Sequence, residues 1–241
     1  MLAFLYAFCL LAQIPNLLWQ TDKTKDLSMR AIETSNTWVN LNPEFSCFLL
    51  DDRDIELYIQ KYWPSDYLEM FRALPIGTMK ADLWRYLVIA SEGGVYSDID
   101  SVCLKPIREW PWPQDAQHVL LIDLDCDPGQ FCQWTFAATP RHPAMLHVCY
   151  FVLQQWKKRG IFLETDGKID VLRITGPKIF TKALKSYLGE PLDRSAGSMV
   201  KQYFADKGYR KRINQFGIFF TNKGFFSGEG SKNLFWGSWA Q

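Results

Sequence analysis

The chain has 241 residues and a formal net charge of +1, with 48% hydrophobic and 15% aromatic residues. This length and composition exclude a disordered chain and allow one substantial hydrophobic core. The balanced charge and the absence of a Lys/Arg run give no reason to expect a nucleic-acid partner.

The first twelve residues are apolar, and the sequence does not begin with a Lys or Arg. The segment is too short to span a bilayer, which takes about 20 residues. It has the length of the apolar region of a signal peptide but lacks the basic start. We therefore expect residues 1–13 to be a hydrophobic signal or anchor segment, with a buried first element as the alternative. No other segment qualifies as transmembrane.

The remaining sequence alternates between strand-like and helix-like segments, as an α/β domain requires. In chain order, the predicted strands are 14–20, 45–50, 95–100, 119–125, 131–138 and 218–221. The predicted helices are 27–38, 52–62, 64–73, 79–91, 143–158 and 176–188. We predict one domain over residues 14–241, with a twisted, mostly parallel (mixed) sheet flanked by helices. Ligands are expected at the carboxyl ends of the strands.

Residues 79–101 are the most informative segment. They contain a predicted helix, a Gly-Gly pair and a short strand that ends in Asp98 and Asp100. Side chains two residues apart in a strand leave the same face, so these carboxylates should point together while Val95 and Ile99 pack into the core. Adjacent carboxylates raise each other's pKa unless a cation lies between them. Such oxygen ligands suit Mg²⁺ or Mn²⁺, with substrate phosphates completing the shell.

Asp82 and Arg85 lie three residues apart on the predicted helix and share one of its faces. Near a carboxylate pair, the acid suits sugar hydroxyls and the guanidinium suits a phosphate. A surface salt bridge of little energetic value is the alternative.

A second acidic run begins within the strand predicted at 119–125, which ends in Asp123 and Asp125, and Asp127 follows it. It resembles the first motif of haloacid-dehalogenase-type phosphatases, in which the first Asp is the nucleophile. That family needs Thr or Val at the position of Asp127 and normally opens its domain with this strand. Over a hundred residues precede the strand here, so the phosphatase is the weaker alternative.

The six cysteines and three histidines show no zinc-ligand spacing. Disulfides, with Cys126–Cys132 the closest pair in sequence, and free buried thiols both fit the pattern. We expect His118, His142 and His147 to be structural or exposed.

Several motifs together resemble the DxD-containing sugar-binding region of glycosyltransferase family 32, and within it the fungal initiation-specific α-1,6-mannosyltransferase group. The core of the resemblance is Leu74-Pro75, the run from Lys80 to Tyr86, and the run from Gly93 to Asp100. Further matches are the runs 14–21 and 103–107, Thr175-Gly176-Pro177 and Gly237-Ser238-Trp239.

This resemblance implies a GT-A-type nucleotide-sugar-binding domain that transfers a hexose, with mannose favoured, and retains the anomeric configuration. The implied cofactor is Mn²⁺ or Mg²⁺. The donor would be a nucleoside-diphosphate sugar, with GDP-mannose favoured and a UDP-sugar possible, and the acceptor a glycan or a lipid-linked molecule. The implied location is the lumen or membrane of the secretory pathway, Golgi-like if the protein is eukaryotic, and otherwise membrane-associated or cytoplasmic. A relative that binds sugar nucleotides without transferring them is the alternative.

The resemblance also assigns site residues. The implied catalytic residues are Asp98, Asp100 and Arg85, and the implied metal ligands are Asp100, Asp98 and Ser238. The implied donor-binding residues are Trp19, Asp82, Arg85, Asp98, Gln133 and Trp239. Trp19 would stack on the base, with a core position as the alternative. Relatives often carry a His shortly before Gly-Ser-Trp where this chain has Asn233, which makes Ser238 the candidate ligand from this tail.

Overall fold

The computed structural model describes residues 14–113, 116–124, 129–161, 170–221, 225 and 231–233. Residues 231–233 are described through their backbone only. The strands are β1 (Leu17–Thr21), β2 (Ser46–Leu50), β3 (Gly94–Ser97), β4 (Ser101–Cys103), β5 (Leu120–Ile122), β6 (Thr135–Ala138), β7 (Ile218–Phe220) and β8 (Ser231–Asn233). The helices are α1 (Met29–Leu41), α2 (Asp52–Tyr62), α3 (Ser65–Ala73), α4 (Gly77–Glu92), α5 (Pro143–Arg159), α6 (Val171–Ile174), α7 (Pro177–Leu188), α8 (Ala196–Ala205) and α9 (Lys207–Gln215).

Six strands form one mixed sheet in the order β2-β1-β3-β6-β5-β7, which confirms the predicted α/β class. Strand β1 pairs in parallel with β2 and β3, and β5 pairs in parallel with β7. Strand β6 runs antiparallel between β3 and β5. Because β1 and β3 are parallel neighbours, their carboxyl ends meet at one edge of the sheet, where ligands of such sheets bind.

Hydrophobic residues cover both faces of this sheet. Leu18 and Val95 face Trp38 of α1, whereas Trp19 and Tyr96 face the larger cluster around α4. This division follows from the alternation of side chains along a strand. Helix α4 is buried along most of its length, so its polar residues are held in fixed positions by packing.

The end of β3 differs from the prediction. The strand stops at Ser97, and the chain turns at Asp98, whose carbonyl accepts a hydrogen bond from the Ser101 amide at 3.1 Å. The expectation that Ile99 packs into the core is wrong, since the side chain is only half-buried and lines a cleft. Alternation along a strand therefore does not explain how the two Asp side chains come together.

Helices α8 and α9 and the β4–β8 pair were not predicted. Helix α9 lies in a stretch whose many basic residues obscure any apolar periodicity. The Asp206 carboxylate caps it by accepting hydrogen bonds from the amides of Gly208 and Tyr209. This cap was the signal that sequence reasoning overlooked.

Among the described helices, none combines the length and hydrophobicity needed to cross a bilayer. The predicted signal or anchor segment, residues 1–13, lies outside the described residues. Cys47, Cys103 and Cys149 are free thiols. The suggested Cys126–Cys132 pair includes a residue outside the described part of the chain.

Gly94 provides a test of the junction between α4 and β3. Its φ is +92°, and a Cβ placed there would lie 2.5 Å from the Leu17 carbonyl oxygen in β1. We expect Gly94→Ala to lower the free energy of unfolding by more than about 1 kcal/mol. Gly160→Ala is the control, because Gly160 has φ +65° but a Cβ added there would meet nothing within 4 Å. Equal denaturation midpoints for the two variants would show that the close approach to β1 does not lower the free energy of unfolding.

His142 makes the stability of the fold depend on pH. The ring is buried, and its Nδ1 accepts a hydrogen bond from the Ala144 amide at the start of α5. Burial lowers the pKa of His142 to about 4, whereas an unfolded His titrates near 6.5. The unfolded state therefore binds an extra proton between these values, and stability present above pH 6.5 is lost as the pH falls towards 4. We expect His142→Asn, which keeps a capping acceptor, to remove about 3 kcal/mol of this pH dependence in urea titrations. An unchanged pH profile would contradict the assignment.

Candidate active site

A cleft of about 280 Å³ opens at the edge of the sheet where β1 and β3 end. Thr21, Asp22 and Lys23 line it from the end of β1, and the turn 98–100 lines it from the end of β3. Arg85 reaches it from α4. The structure thus brings Arg85, Asp98 and Asp100 to one cleft, as the sequence predicted for a shared site.

Asp98 is held in a fixed orientation by two contacts. The Tyr96 hydroxyl donates a hydrogen bond to its Oδ1 at 2.8 Å, and Arg85 Nη2 lies 2.9 Å from the same oxygen. Both contacts are made to Oδ1. The Asp98 side chain is 24% exposed, and Asp98 lines the cleft. Burial raises the pKa of Asp98, while Arg85 and Tyr96 act in the opposite direction. A bound cation would favour the ionised carboxylate further.

Arg85 connects the two acidic positions. Its Nη2 lies 3.2 Å from Asp82 Oδ1 as well as 2.9 Å from Asp98, and its Nη1 donates to the Gln133 carbonyl at 3.2 Å. The guanidinium carbon also lies 4.8 Å from the centre of the Tyr96 ring. The alternative of a surface salt bridge is wrong, because Asp82 and Arg85 are both buried.

Asp82 lies behind Arg85 and is only 1% exposed. Gln133 Nε2 donates to its Oδ1 at 2.8 Å, and Thr175 Oγ1 donates to its Oδ2 at 2.9 Å. Burial raises the pKa of Asp82 to about 6, against the opposing effects of Arg85 and the two hydrogen-bond donors. In this arrangement Asp82 orients Arg85, which favours a supporting role over direct contact with sugar hydroxyls.

Gln133 also takes part in this buried network. The Tyr86 hydroxyl donates to Gln133 Oε1 and lies 2.7 Å from the Thr175 carbonyl oxygen. Sequence reasoning included Gln133 as a donor-binding residue but did not identify Tyr86, Tyr96 or Thr175 as part of the site. All three lie within the motifs that carried the family resemblance, which was the available signal.

Trp19 occupies a core position. Its side chain is 7% exposed, stacks on Phe48 at 4.6 Å between ring centres, and meets Trp84 edge to face. Its indole N–H donates to the Gly93 carbonyl at 2.9 Å. These contacts favour the core alternative over stacking on a nucleotide base. The end of β1 instead presents Thr21 and Asp22 to the cleft.

The described residues fit a cation only in part. Among them, no group of three or more His, Cys, Asp or Glu side chains could surround a metal ion. Asp98 and Asp100 nevertheless line the same cleft. Mg²⁺ and similar ions usually take one or two carboxylates and fill the remaining positions with water and substrate phosphate. The pair therefore fits such an ion, and the predicted Ser238 and Trp239 lie outside the described residues.

Part of the chain matches a known protein family, and its fold is similar to that of a solved structure. Residues 28–117 match the family described as the glycosyltransferase sugar-binding region containing a DXD motif. In fold, the chain is similar to the PaToxG glycosyltransferase, with a TM-score of 0.59 and 17% identity over 85% of this chain and 78% of that one. Residues 28–117 thus resemble a glycosyltransferase sugar-binding region, and the chain has an α/β fold similar to that of a glycosyltransferase, which confirms the predicted fold class.

The chain is also similar in sequence to curated proteins with named activities. The chain is 32% identical to the initiation-specific α-1,6-mannosyltransferase of Schizosaccharomyces pombe, over 73% of this chain and 49% of the relative. It is 29% identical to the enzyme of the same name from Candida albicans, over 74% of this chain and 54% of the relative. These matches confirm the predicted resemblance to that group. The chain spans about half the length of these two relatives.

Proposed function

We propose that the protein is a metal-dependent glycosyltransferase that moves a hexose from a nucleoside-diphosphate sugar to a hydroxyl of a glycan or lipid-linked acceptor. The observation that carries the proposal is the turn 98–100, which presents two carboxylates to a cleft at the β1–β3 edge. Arg85 is fixed beside them by buried partners. The match of residues 28–117 to a DXD sugar-binding region supports the same conclusion.

The chemistry follows from the charge that develops when the bond to the sugar breaks. The leaving nucleoside diphosphate gains negative charge, and a transition state of this kind is stabilised by positive groups already in position. Asp98 and Asp100 would hold Mn²⁺ or Mg²⁺, which when bound supplies Lewis-acid stabilisation of the diphosphate. Arg85 lines the same cleft and orients Asp98, so it both positions a ligand group and adds positive charge.

We propose GDP-mannose as the donor. Mannose is supported by the two relatives reported above, which are named mannosyltransferases, and GDP is implied by the family resemblance. A UDP-sugar is the second candidate, since no described contact distinguishes the bases. We propose retention of the anomeric configuration from the family resemblance. A location in the secretory pathway, with membrane association through residues 1–13, completes the proposal.

The two alternatives are less well supported. Asp123, the nucleophile of the phosphatase alternative, is fully buried, and its carboxylate accepts a hydrogen bond from the Leu124 amide at 2.7 Å. Asp125 and Asp127 lie outside the described residues. A binding protein without transferase activity gains no support from the site, because Asp98, Asp100 and Arg85 all reach the cleft.

A thermal-shift screen tests donor binding directly. Purified protein is heated with Mn²⁺ and each of a panel of sugar nucleotides. We expect GDP-mannose to raise the unfolding midpoint by mass action, by an amount that grows with its concentration. Free mannose is the control, and chelation of the metal should abolish the shift. A midpoint that no sugar nucleotide raises would contradict the proposal.

The C-terminal tail gives a separate prediction. We propose from the resemblance that Ser238 contributes to the metal site and Trp239 to donor binding. Deleting residues 237–241 should then abolish transfer while largely preserving the unfolding midpoint. Donor with Mn²⁺ should also protect the tail from carboxypeptidase. A truncated enzyme with normal turnover would place the tail outside the site.

A further inference from the structure

A second cavity, of about 400 Å³, lies between the end of α5 and the α6–α7 segment. Its walls combine polar and apolar groups, and its charge is one-sided. Among the described residues that line it there is no Asp or Glu, whereas the cationic ones are Arg159, Arg173, Lys178, Lys182 and Lys185. A concave surface with this charge attracts anions.

Among the described residues, acidic side chains balance these cations only in part. Lys178, Lys182 and Lys185 follow one face of α7 at spacings of four and three residues, where like charges repel. Arg173 pairs with Asp170 at 3.3 Å. Within the part of the chain that the structure describes, Arg159, Lys178 and Lys182 form no ion pair. An anion in the cavity would relieve the repulsion.

Lys185 is a buried cation in the wall of the cavity. Its side chain is only 6% exposed, and Nζ donates to the Leu192 carbonyl at 3.2 Å. Burial lowers the pKa of Lys185, because the charged ammonium loses hydration, while the charge of Asp193 acts in the opposite direction. An ammonium has three N–H groups, so further acceptors are favoured there. Phosphate oxygens are acceptors of the required charge.

The opposite wall has a different chemical character. The half-buried Trp156 and Gln155 of α5 face the same space. An indole face packs on the apolar face of a sugar ring, and a side-chain amide can donate to or accept from a hydroxyl. Phosphate-binding cations beside such a wall fit a ring that carries a phosphate.

Two chain segments run from the wall of the cavity to the network behind the candidate active site, although no described residue lines both spaces. Ile174 lines the cavity, and the next residue, Thr175, donates to Asp82. Gln130 lines the cavity, and Gln133, three residues on, also donates to Asp82. Three residues span at most roughly 10 Å, so a ligand in the cavity lies close to the network that holds Arg85.

We propose that the cavity between α5 and α7 binds the phosphate ester of a sugar or polyol, at a site separate from the candidate active site. This binding does not rest on the proposed glycosyl transfer. The phosphate occupies the α7 side among the lysines, and the ring packs against Trp156.

Calorimetric titration of the full chain in EDTA tests the binding, because chelation removes the metal on which the donor site depends. The probes are glucose 6-phosphate, glucose and inorganic phosphate. We expect glucose 6-phosphate to bind at least about tenfold more tightly than glucose, owing to charged hydrogen bonds. Lys182→Glu should weaken this binding at least about tenfold, and Lys182→Ala should weaken it less. Lys201→Glu, the same charge change at an exposed position of α8, should leave it unchanged.

Asp100→Asn separates the two sites and should still bind glucose 6-phosphate normally. The proposal is overturned if glucose binds as well as its phosphate, if folded Lys182 variants bind like the wild type, or if Asp100→Asn abolishes binding. Vesicles containing phosphatidylinositol distinguish a lipid headgroup from a soluble ester, because only a headgroup ligand would bring the protein down with them in a Lys182-dependent manner. Ester binding without any metal-dependent donor binding would contradict the proposed function, but not the cavity assignment.

Discussion

Asp100→Asn is expected to reduce transfer by at least about a hundredfold, because loss of one of two carboxylates leaves the cation poorly held at the leaving diphosphate. The substitution preserves side-chain shape on an accessible turn, so the unfolding midpoint should stay close to that of the wild type. The measurement is kcat/KM as a function of Mn²⁺ concentration. We expect the variant to need far more Mn²⁺ for its residual activity.

Asp98→Asn should be nearly as severe for a different reason. The Asp98 carboxylate also accepts from Tyr96 and pairs with Arg85, so its replacement disturbs the position of Arg85. Asp66→Asn is the matched control, since Asp66 lies exposed on α3 and pairs with Lys157 away from the cleft. Near-normal turnover of Asp100→Asn in chelator-treated buffer would show that the metal assignment is wrong.

Arg85→Lys is the second substitution with a large expected effect. Lysine keeps the charge but lacks the planar fork that contacts Asp82, Asp98 and the Gln133 carbonyl together. We expect a loss of about 2–3 kcal/mol of transition-state stabilisation, measured as a fall in kcat/KM of between about 30-fold and 150-fold. The unfolding midpoint should also fall, because Asp82 would be left with a poorly satisfied buried charge.

Arg72→Lys provides the control for this substitution. Arg72 forms a comparable pair with Glu56, but both side chains are exposed and lie outside the cleft, so the change should be almost silent. If Arg85→Lys lowered stability while leaving kcat/KM intact, the buried pair would have only a structural role.

Much of the site was predictable because its residues are close in sequence. The run from Asp82 to Asp100 forms one helix–turn–strand unit, and the edge at which it ends follows from β1 and β3 being parallel. Burial was not predictable in the same way. The spacing of Asp82 and Arg85 shows that they share a helix face, but the groups that cover them, Gln133 and Thr175, come from distant parts of the chain.

Trp19 illustrates the same limit. A Trp in a strand that leads to a nucleotide site suits base stacking as well as the core, and only the positions of Phe48, Trp84 and Gly93 distinguish the two. The length of β3 was overestimated because alternation of apolar and polar residues continues into the turn at Asp98. The turn nevertheless brings Asp98 and Asp100 to one cleft, and their joint binding of a metal stays a prediction.

The most direct test of the central claim is release of nucleoside diphosphate from GDP-mannose and a UDP-sugar, measured with Mn²⁺ and with EDTA, for the wild type and Asp100→Asn. We predict that the wild type releases GDP or UDP only when the metal is present, and that Asp100→Asn releases almost none. Equal release in EDTA, or equal release by Asp100→Asn, would contradict a metal-dependent transferase site at the turn 98–100.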